Sequence, residues 1–417
     1  MAVTQTCASG KGVLIVGGGQ AGLQVAVSLR QGGYDGPVTI VAAEDRLPYQ
    51  RPPLSKAYLK ESQPFERLVL RPERFFSENA ITLRRGESVS AIDRKSECVE
   101  LLSGERLVYA HLVLATGARN RNLAVPGADR SGVHGLRTAN DAERLRAAIG
   151  TARRLVVVGG GFIGLEVAAT ARANGTEVTV VEAADRLMGR VVSPAISDFF
   201  LAAHRAMGAR VLLGEAALAI TGTETADGVE TASGHHPADL VLLAAGVVPN
   251  AELAEEAGLA TERGILVDSF MTTGDPKIFA VGDCAVFESR HADGLVRLES
   301  VQNAVDQGKC VAARILGAGL PYDSVPWFWS DQGPYKLQIA GITSAADHVH
   351  AIGSPSEGRL VVFAFRGERL LGIETVNRPG DHMAGRKLLA SDLRASRAEI
   401  EREDFDLKAH LQKLAAG

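Results

Sequence analysis

Cysteine is scarce in this chain. Four are present, Cys7, Cys98, Cys284 and Cys310, and they lie too far apart to form a CxxC pair or a metal-ligand cluster. A cysteine-based metal centre is therefore excluded, no other metal site is expected, and the thiols should be free. Long apolar runs are also missing, since none reaches the roughly 18 residues of a membrane span. The opening MAVTQTCASGKG has no cationic region followed by an apolar stretch, so the reading is a cytoplasmic protein with no membrane partner. There is no basic excess either. Lys plus Arg number 45 against 49 Asp plus Glu, a net charge of −4, which argues against nucleic-acid binding. With 46% apolar and 23% charged residues in 417, the chain has the composition of an ordinary globular protein. Its length suits roughly three domains at about 150 residues each.

What the sequence does have is glycine placed directly after short apolar runs. Residues 13–22, VLIVGGGQAG, read as a strand, a tight turn and a helix start. Gly17, Gly19 and Gly22 fit the GxGxxG pattern: the first glycine allows the turn, the second lets backbone approach a pyrophosphate, and the third lets helix and strand touch. The pyrophosphate would sit on unpaired helix N–H groups. Such turns also join strands to helices for structural reasons alone, so the flanking pattern matters. The next strand, VTIV at 38–41, runs through Ala43 to Glu44, which falls 22 residues past Gly22, where a ribose-binding carboxylate is expected. The whole arrangement then recurs. Strand 155–158 leads into Gly159, Gly161 and Gly164, and strand 178–181 ends at Glu182, 18 residues past Gly164.

Taken in order, residues 45–60 hold Pro48, Pro52 and Pro53, which forbid regular structure before a helix begins near Leu54 or Ser55. Arg51 and Lys56 in this loop fit a ligand site or a solvated surface equally well. A strand at 107–114 runs into Ala115-Thr116-Gly117, as in a chain returning to the ligand, and 116–127 marks the crossing into the second unit. That unit has a helix at 141–149 and closes with a strand at 239–248 that contains Gly246. Residues 273–283 read as a strand ending at Gly282-Asp283, and 299–316 as a helix, so the chain has returned to its first domain. From Pro326 the composition changes to WFWSDQ, strand-like pieces at 360–365 and 370–376, and a charged helical tail from Ser391. The expected fold is α/β, with two Rossmann-like units and a C-terminal α+β domain.

The segments YQRPPLSKAYL, LVLATGAR, GGGFIGLEVAATA, VGDCAVFES, ESVQNA, PWFWSDQ and TVNRPGDHMAGRK cover nearly the whole chain. Through them it resembles the FAD-dependent ferredoxin reductases of bacterial oxygenase systems. The resemblance implies a glutathione-reductase-like arrangement: an FAD-binding domain from 6–117 and 247–325, an NAD-binding domain from 118–246 inserted into it, and a capping domain at 326–417. It also implies an NADH-dependent enzyme that passes hydride from NADH to FAD and then single electrons to a two-iron ferredoxin feeding a monooxygenase or dioxygenase. Disulfide reductases of this fold carry a CxxxxC pair, and NADH peroxidases a single cysteine, just past the first nucleotide unit. Residues 45–60 contain none, so electrons must leave the flavin directly.

By the same resemblance Asp283 holds the ribityl chain, and Ala21, Ala43, Arg51, Lys56, Val89, Thr116, Gly117, Arg137 and Val301 belong to the FAD site with the first glycine turn and Glu44. Gly159, Gly161, Gly164, Glu182, Arg190 and Gly246 belong to the coenzyme site. The helix entered at Val301 points its N-terminus at the flavin edge that gains negative charge. Lys56 and Glu166 are expected to pair beside the flavin, with Trp329 packed against it. Lys309, Lys336, Arg378 and Lys387 are candidates for steering an acidic ferredoxin. Two other functions stay open: an NADH oxidase, and a redox-sensing flavoprotein like apoptosis-inducing factor.

Overall fold

The structure is a computed structural model that describes residues 11–60, 64–391 and 395–416. Cys7 and the start of the domain read from residue 6 lie outside the described residues. Packing divides the chain into two compact units. One takes Met1–Gln50, Phe65–Arg119 and Val248–Ser324; the other takes Arg51–Pro64, Asn120–Val247 and Val325–Gly417.

The first unit is built on a seven-stranded sheet ordered Ile81–Arg85, Val38–Ala42, Gly12–Val16, Arg106–Leu114, Cys98–Leu101 and Val89–Asp93, with Ile278–Ala280 also paired to Arg106–Leu114. The neighbours of Gly12–Val16 run parallel to it, and all five of its residues are buried. A strand covered on both faces must be apolar throughout, which is why VLIV shows no alternation. Helices Gln20–Gln31 and Val301–Ile315 pack closely, because Gly308 lets one backbone approach the other: a Cβ there would lie 3.0 Å from Gln24 Cβ and 3.1 Å from Ala21 O.

The second unit holds a five-stranded parallel sheet ordered Arg210–Leu213, Glu177–Glu182, Arg154–Val158, Leu240–Leu243 and Val133–His134. It also holds a three-stranded antiparallel sheet spanning Ala219–Gly222, Ala226–Thr231 and Gly234–Pro237, and a five-stranded antiparallel sheet at the C-terminal end. That last sheet runs Trp327–Gln332, Tyr335–Gly341, Arg369–Val376, Arg359–Arg366 and His348–Ser354, backed by helix Pro379–Ala390. Two Rossmann-like sheets, the first mixed because Cys98–Leu101 runs antiparallel to both its neighbours and the second all parallel, together with an antiparallel C-terminal sheet, are the α/β architecture expected from the sequence.

Several elements are shorter than the sequence suggested. Strand 239–248 stops at Leu243, because Gly246 takes a left-handed φ of 90° and breaks the extension before Val247–Pro249. Of 273–283 only Ile278–Ala280 is strand; Asp275 turns the chain by accepting the Lys277 N–H. The charged tail is two helices, Arg397–Ile400 behind a Ser396–Glu399 capping box and Leu407–Ala416.

His382 is buried in helix Pro379–Ala390, and neither ring nitrogen has a hydrogen-bond partner among the described residues. Burial, then the nearby Arg386 charge, pushes its pKa down to about 4. The folded pKa thus lies below the unfolded value of about 6.5, so the unfolded chain takes up the proton first. This contribution to stability is complete above about pH 6.5 and is lost as pH falls toward 4. Denaturant midpoints measured between these limits should fall, and His382→Leu should flatten that slope.

Candidate functional site

The two glycine turns are near copies in geometry. Gly17 and Gly159 have φ of 122° and 113°, and a Cβ on either would lie 2.1 Å from Ala115 O or 2.5 Å from Ala244 O. Gly22 and Gly164 let helix touch turn, since a Cβ would come within 2.1 Å of Gly17 O or 2.3 Å of Gly159 O. The middle glycines differ from these. A Cβ on Gly19 or Gly161 would meet nothing within 4 Å, so both turns face open space over a helix start. Gly19 and Gly161 are the N-caps of Gln20–Gln31 and Phe162–Ala173, neither helix has a side-chain cap, and neither first turn holds an acidic residue. Backbone N–H groups pointing into an open cradle without competing carboxylates suit a pyrophosphate, so the donor set fits a dinucleotide in each unit.

The carboxylates at the ends of the second strands are held differently. Glu44 Oε2 accepts the Tyr49 hydroxyl at 2.6 Å, beside the exposed Ala43. Glu182 takes two backbone donors, Gly160 N–H at 2.6 Å and Ala184 N–H at 2.8 Å. The carboxylate is thereby fixed against the glycine turn, and each oxygen keeps capacity for a sugar hydroxyl. Arg190 is exposed, its guanidinium where a Cβ on Gly246 would reach it at 3.2 Å. Arg186 is committed to the protein, donating to Val192 O at 2.7 Å and Ser197 Oγ at 3.1 Å.

In the first unit, Thr116 serves the chain crossing: its hydroxyl donates to Asn250 O at 2.6 Å, while Asn250 N–H donates to Gly117 O at 2.9 Å. Asp283 sits in the 3₁₀ turn Gly282–Cys284, and Gly282 N–H is held by Gln307 Oε1 at 2.7 Å. Gly282 packs against Ala21, with 3.1 Å from its would-be Cβ to Ala21 Cβ, which brings the Asp283 turn to the start of the first dinucleotide helix. Val301 begins the helix whose N-cap Ser300 accepts Asn303 N–H at 3.1 Å, and Val89 is half-buried at the start of its strand.

The second unit brings Arg51 and Arg137 together, Arg51 Nη1 donating to Arg137 O at 2.7 Å. It also assembles a buried polar group around Glu166. Lys56 Nζ lies 2.8 Å from Glu166 Oε2, with side-chain exposures of 16% and 1%. The Ser55 hydroxyl donates to Oε2 at 2.5 Å and the Ser330 hydroxyl to Oε1 at 2.6 Å. Behind Ser330, Gln332 Nε2 donates to Ser330 Oγ at 3.2 Å, and His204 Nε2 donates to Gln332 Oε1 at 2.9 Å. Burial holds the His204 pKa below its ordinary value, which keeps the ring neutral. Every bond of this chain points its proton toward the Glu166 carboxylate, an arrangement that stabilises a buried anion.

Trp329 lies on the same strand as Ser330 but on its other face. Alternation along Trp327–Gln332 turns Phe328, Ser330 and Gln332 toward helix Phe162–Ala173 and His204, with the Phe328 and Phe162 rings 4.6 Å apart. Trp327 and Trp329 stack at 5.6 Å on the opposite face. Sequence reasoning missed Ser55, Ser330, Gln332 and His204. The period-two pattern in WFWSDQ, two Trp alternating with a buried Ser, was the one available signal.

Cys98 and Cys284 are buried, Cys310 is half-buried, and all three are free. Burial pushes the Cys284 thiol pKa up. Among the described residues no cluster of His, Cys, Asp or Glu could hold a metal ion, and no helix is long and apolar enough to cross a membrane.

Paired dinucleotide cradles, each between parallel strands of a Rossmann-like sheet, followed by an antiparallel sheet, define a two-nucleotide oxidoreductase. The chain belongs to the pyridine nucleotide-disulphide oxidoreductase family, whose model matches residues 11–308, and a reductase C-terminal model matches residues 327–411. It is 50% identical to rhodocoxin reductase of Rhodococcus erythropolis over 399 residues, 95% of this chain and 93% of that one. It is 39% identical to putidaredoxin reductase of Pseudomonas putida over 397 residues, 91% of this chain and 92% of the relative. Among solved structures, the ferredoxin reductase for the CYP199A2 system of Rhodopseudomonas palustris superposes with a TM-score of 0.93 at 49% identity, covering 96% of this chain and 99% of that one. The covalent putidaredoxin reductase–putidaredoxin complex gives 0.95 at 37% identity, covering 98% and 100%. Ferredoxin reductases of this family use FAD and a nicotinamide coenzyme.

Lys56→Met leaves Glu166 with two serine donors but no counter-ion. It should destabilise the protein toward the lower end of the about 3–5 kcal/mol typical of a broken buried pair. Thermal unfolding of the variant measures this, and Lys56→Met combined with Glu166→Gln should recover much of the loss.

Proposed function

We propose that this chain is an NADH-dependent ferredoxin reductase, with a two-iron ferredoxin as its acceptor and, through it, a monooxygenase or dioxygenase. The observation that carries the reading is the pairing of two open dinucleotide cradles with a loop at 45–60 that holds no thiol. Bound FAD supplies two-electron acceptance from a coenzyme and one-electron release to an iron–sulfur centre. The protein's share is placement. The cradle at Gly17, Gly19 and Gly22, with Ala21, Glu44 and Asp283, holds the flavin nucleotide, and the helix start at Val301 favours negative charge nearby. The cradle at Gly159, Gly161 and Gly164, with Glu182, Arg190 and Gly246, holds the coenzyme. Lys56 and Glu166 fix charge and geometry beside the reacting rings without moving a proton, and Trp329 covers the flavin. We assign residues 6–117 and 247–325 to FAD, 118–246 to coenzyme and 326–417 to capping, in a cytoplasmic enzyme.

The ferredoxin partner follows from the family. Rhodocoxin reductase and the putidaredoxin reductase–putidaredoxin complex are the relevant precedents. The cations considered for docking carry local partners: Lys309 has Asp306 at 3.5 Å, Lys336 has Asp331 at 4.0 Å and Arg378 has Asp381 at 2.7 Å, while Lys387 is exposed. Such pairing weakens their field, so electrostatic steering should be modest.

NADH-dependent reduction of cytochrome c should depend strongly on added ferredoxin and fall as salt is raised. Equal rates with and without ferredoxin would point instead to an oxidase or a redox sensor. The coenzyme preference tests Glu182 separately. A carboxylate fixed at that place repels a 2′-phosphate, so kcat/KM should favour NADH over NADPH by roughly tenfold or more, the equivalent of about 1.4 kcal/mol. A ratio near one would show that Glu182 does not face the ribose.

A further inference from the structure

Residues 183–192 connect Glu182 to Ser193, the N-cap of helix Pro194–Ala206. The inner part of this loop is tied to the second glycine cradle. Met188 N–H donates to Gly160 O at 3.0 Å, and a Cβ on Gly160 would lie 2.6 Å from Leu187 Cδ2 and 3.1 Å from Glu182 Oε2. Arg190 overlies Gly246 as described. Met188 itself has a φ of 52°, a left-handed conformation that a residue with a side chain keeps only where its surroundings hold it.

The outer part of the loop is held by the C-terminal sheet. Glu374, on strand Arg369–Val376, is fully buried. Its Oε1 accepts Ser193 N–H at 2.9 Å and its Oε2 accepts the Ser193 hydroxyl. Thr343 Oγ1 lies 2.6 Å from Glu374 Oε1 and 3.0 Å from Val191 O, so its single proton is shared between the carboxylate and the loop backbone. Gln332 Nε2 reaches Met188 Sδ at 3.4 Å. Three side chains from three segments of the C-terminal part therefore grip three of the six residues from Met188 to Ser193. A buried carboxylate is a costly choice for a purely packing role, since an apolar side chain of the same volume is often as stable or more so. Its place at a helix N-terminus, with a backbone N–H and two hydroxyls aimed at it, gives it directional bonds that an apolar residue cannot make.

We propose that Glu374 is a positioning residue for the nicotinamide coenzyme, fixing from the C-terminal sheet the loop that flanks the second dinucleotide cradle. The proposal rests on the reading of Glu182 and Gly161 as the coenzyme site. A loop ordered in advance binds without an ordering cost; a loop released from its outer anchor must be ordered by the coenzyme, and the loss falls on affinity.

The test is titration of the FAD-loaded protein with NAD+ by calorimetry, alongside NADH steady-state kinetics with ferricyanide. Glu374→Val should raise the Kd for NAD+ and the KM for NADH by about fivefold or more, the effect of losing about 1 kcal/mol of preorganisation, with the loss on KM rather than kcat. Glu374→Gln keeps an acceptor for Ser193 N–H and should bind within about twofold of the parent. Thr343→Val, a smaller change, should weaken binding in the same direction and decides the matter if Glu374→Val does not fold. Normal NAD+ affinity in the folded Val variants, beside weakened affinity in Glu182→Ala, overturns the role of Glu374. A Glu374→Gln variant as weak as Glu374→Val overturns it as well. Normal affinity in Glu182→Ala would instead sink the coenzyme reading on which the proposal stands.

Discussion

One buried carboxylate, Glu166, ties three separate segments of the second unit together. The Glu166 side chain is 1% exposed, and donors reach both of its carboxylate oxygens from two other stretches of chain: Lys56 and Ser55 from the proline-rich loop, and Ser330 from the first strand of the C-terminal sheet. Removing such a partner costs several kcal/mol, whereas assembling them gains little over an apolar core. The cluster is therefore better understood as a specification of arrangement than as a source of stability. The loop, the helix Phe162–Ala173 and the strand Trp327–Gln332 must all be in place together, or a charge is stranded.

The two dinucleotide cradles show how the same sequence pattern yields the same local physics, and where it leaves freedom. Turn φ values and forbidden Cβ contacts nearly coincide between Gly17 to Gly22 and Gly159 to Gly164. The acids that follow do not. Glu44 is braced by Tyr49, outside the turn, while Glu182 is bonded to Gly160 within it. A change in the position of Glu182 is thus transmitted directly to the second glycine turn.

Legibility in the sequence followed the range of the interaction. The glycine turns, the acids after each second strand and the buried parallel strands are local patterns, and residues 13–22 or 155–164 disclose them. Strand 239–248 was overread because an apolar run does not reveal that Ala244 must lie against Gly159 and Gly164 and that Gly246 must turn left-handed. The Lys56 and Glu166 pairing could be anticipated only through family resemblance, since 110 residues separate them in the sequence. Ser55, His204 and Glu374 were invisible for the same reason, and for Ser330 and Gln332 the period-two pattern in WFWSDQ marks a face but no partner. Each is a common residue type whose role arises from a partner far along the chain, and no spacing rule marks such a partner.

The strand Trp327–Gln332 shows what else these distant bonds fix. Because strand side chains alternate, the residue that bonds Glu166 and the residue expected beside the flavin are neighbours on opposite faces. Ser330 can reach Glu166 only in one register, and that register puts Trp327 and Trp329 together on the other side. A slip of one residue would bring Trp329 or Asp331 to the place of Ser330 and carry Ser330 away, leaving the carboxylate short of that donor. The bond between Ser330 and Glu166 thus does two things: it satisfies a buried charge, and it fixes the face on which the aromatic pair stands. The orientation of Trp329 is a consequence of electrostatics on the far side of its own strand.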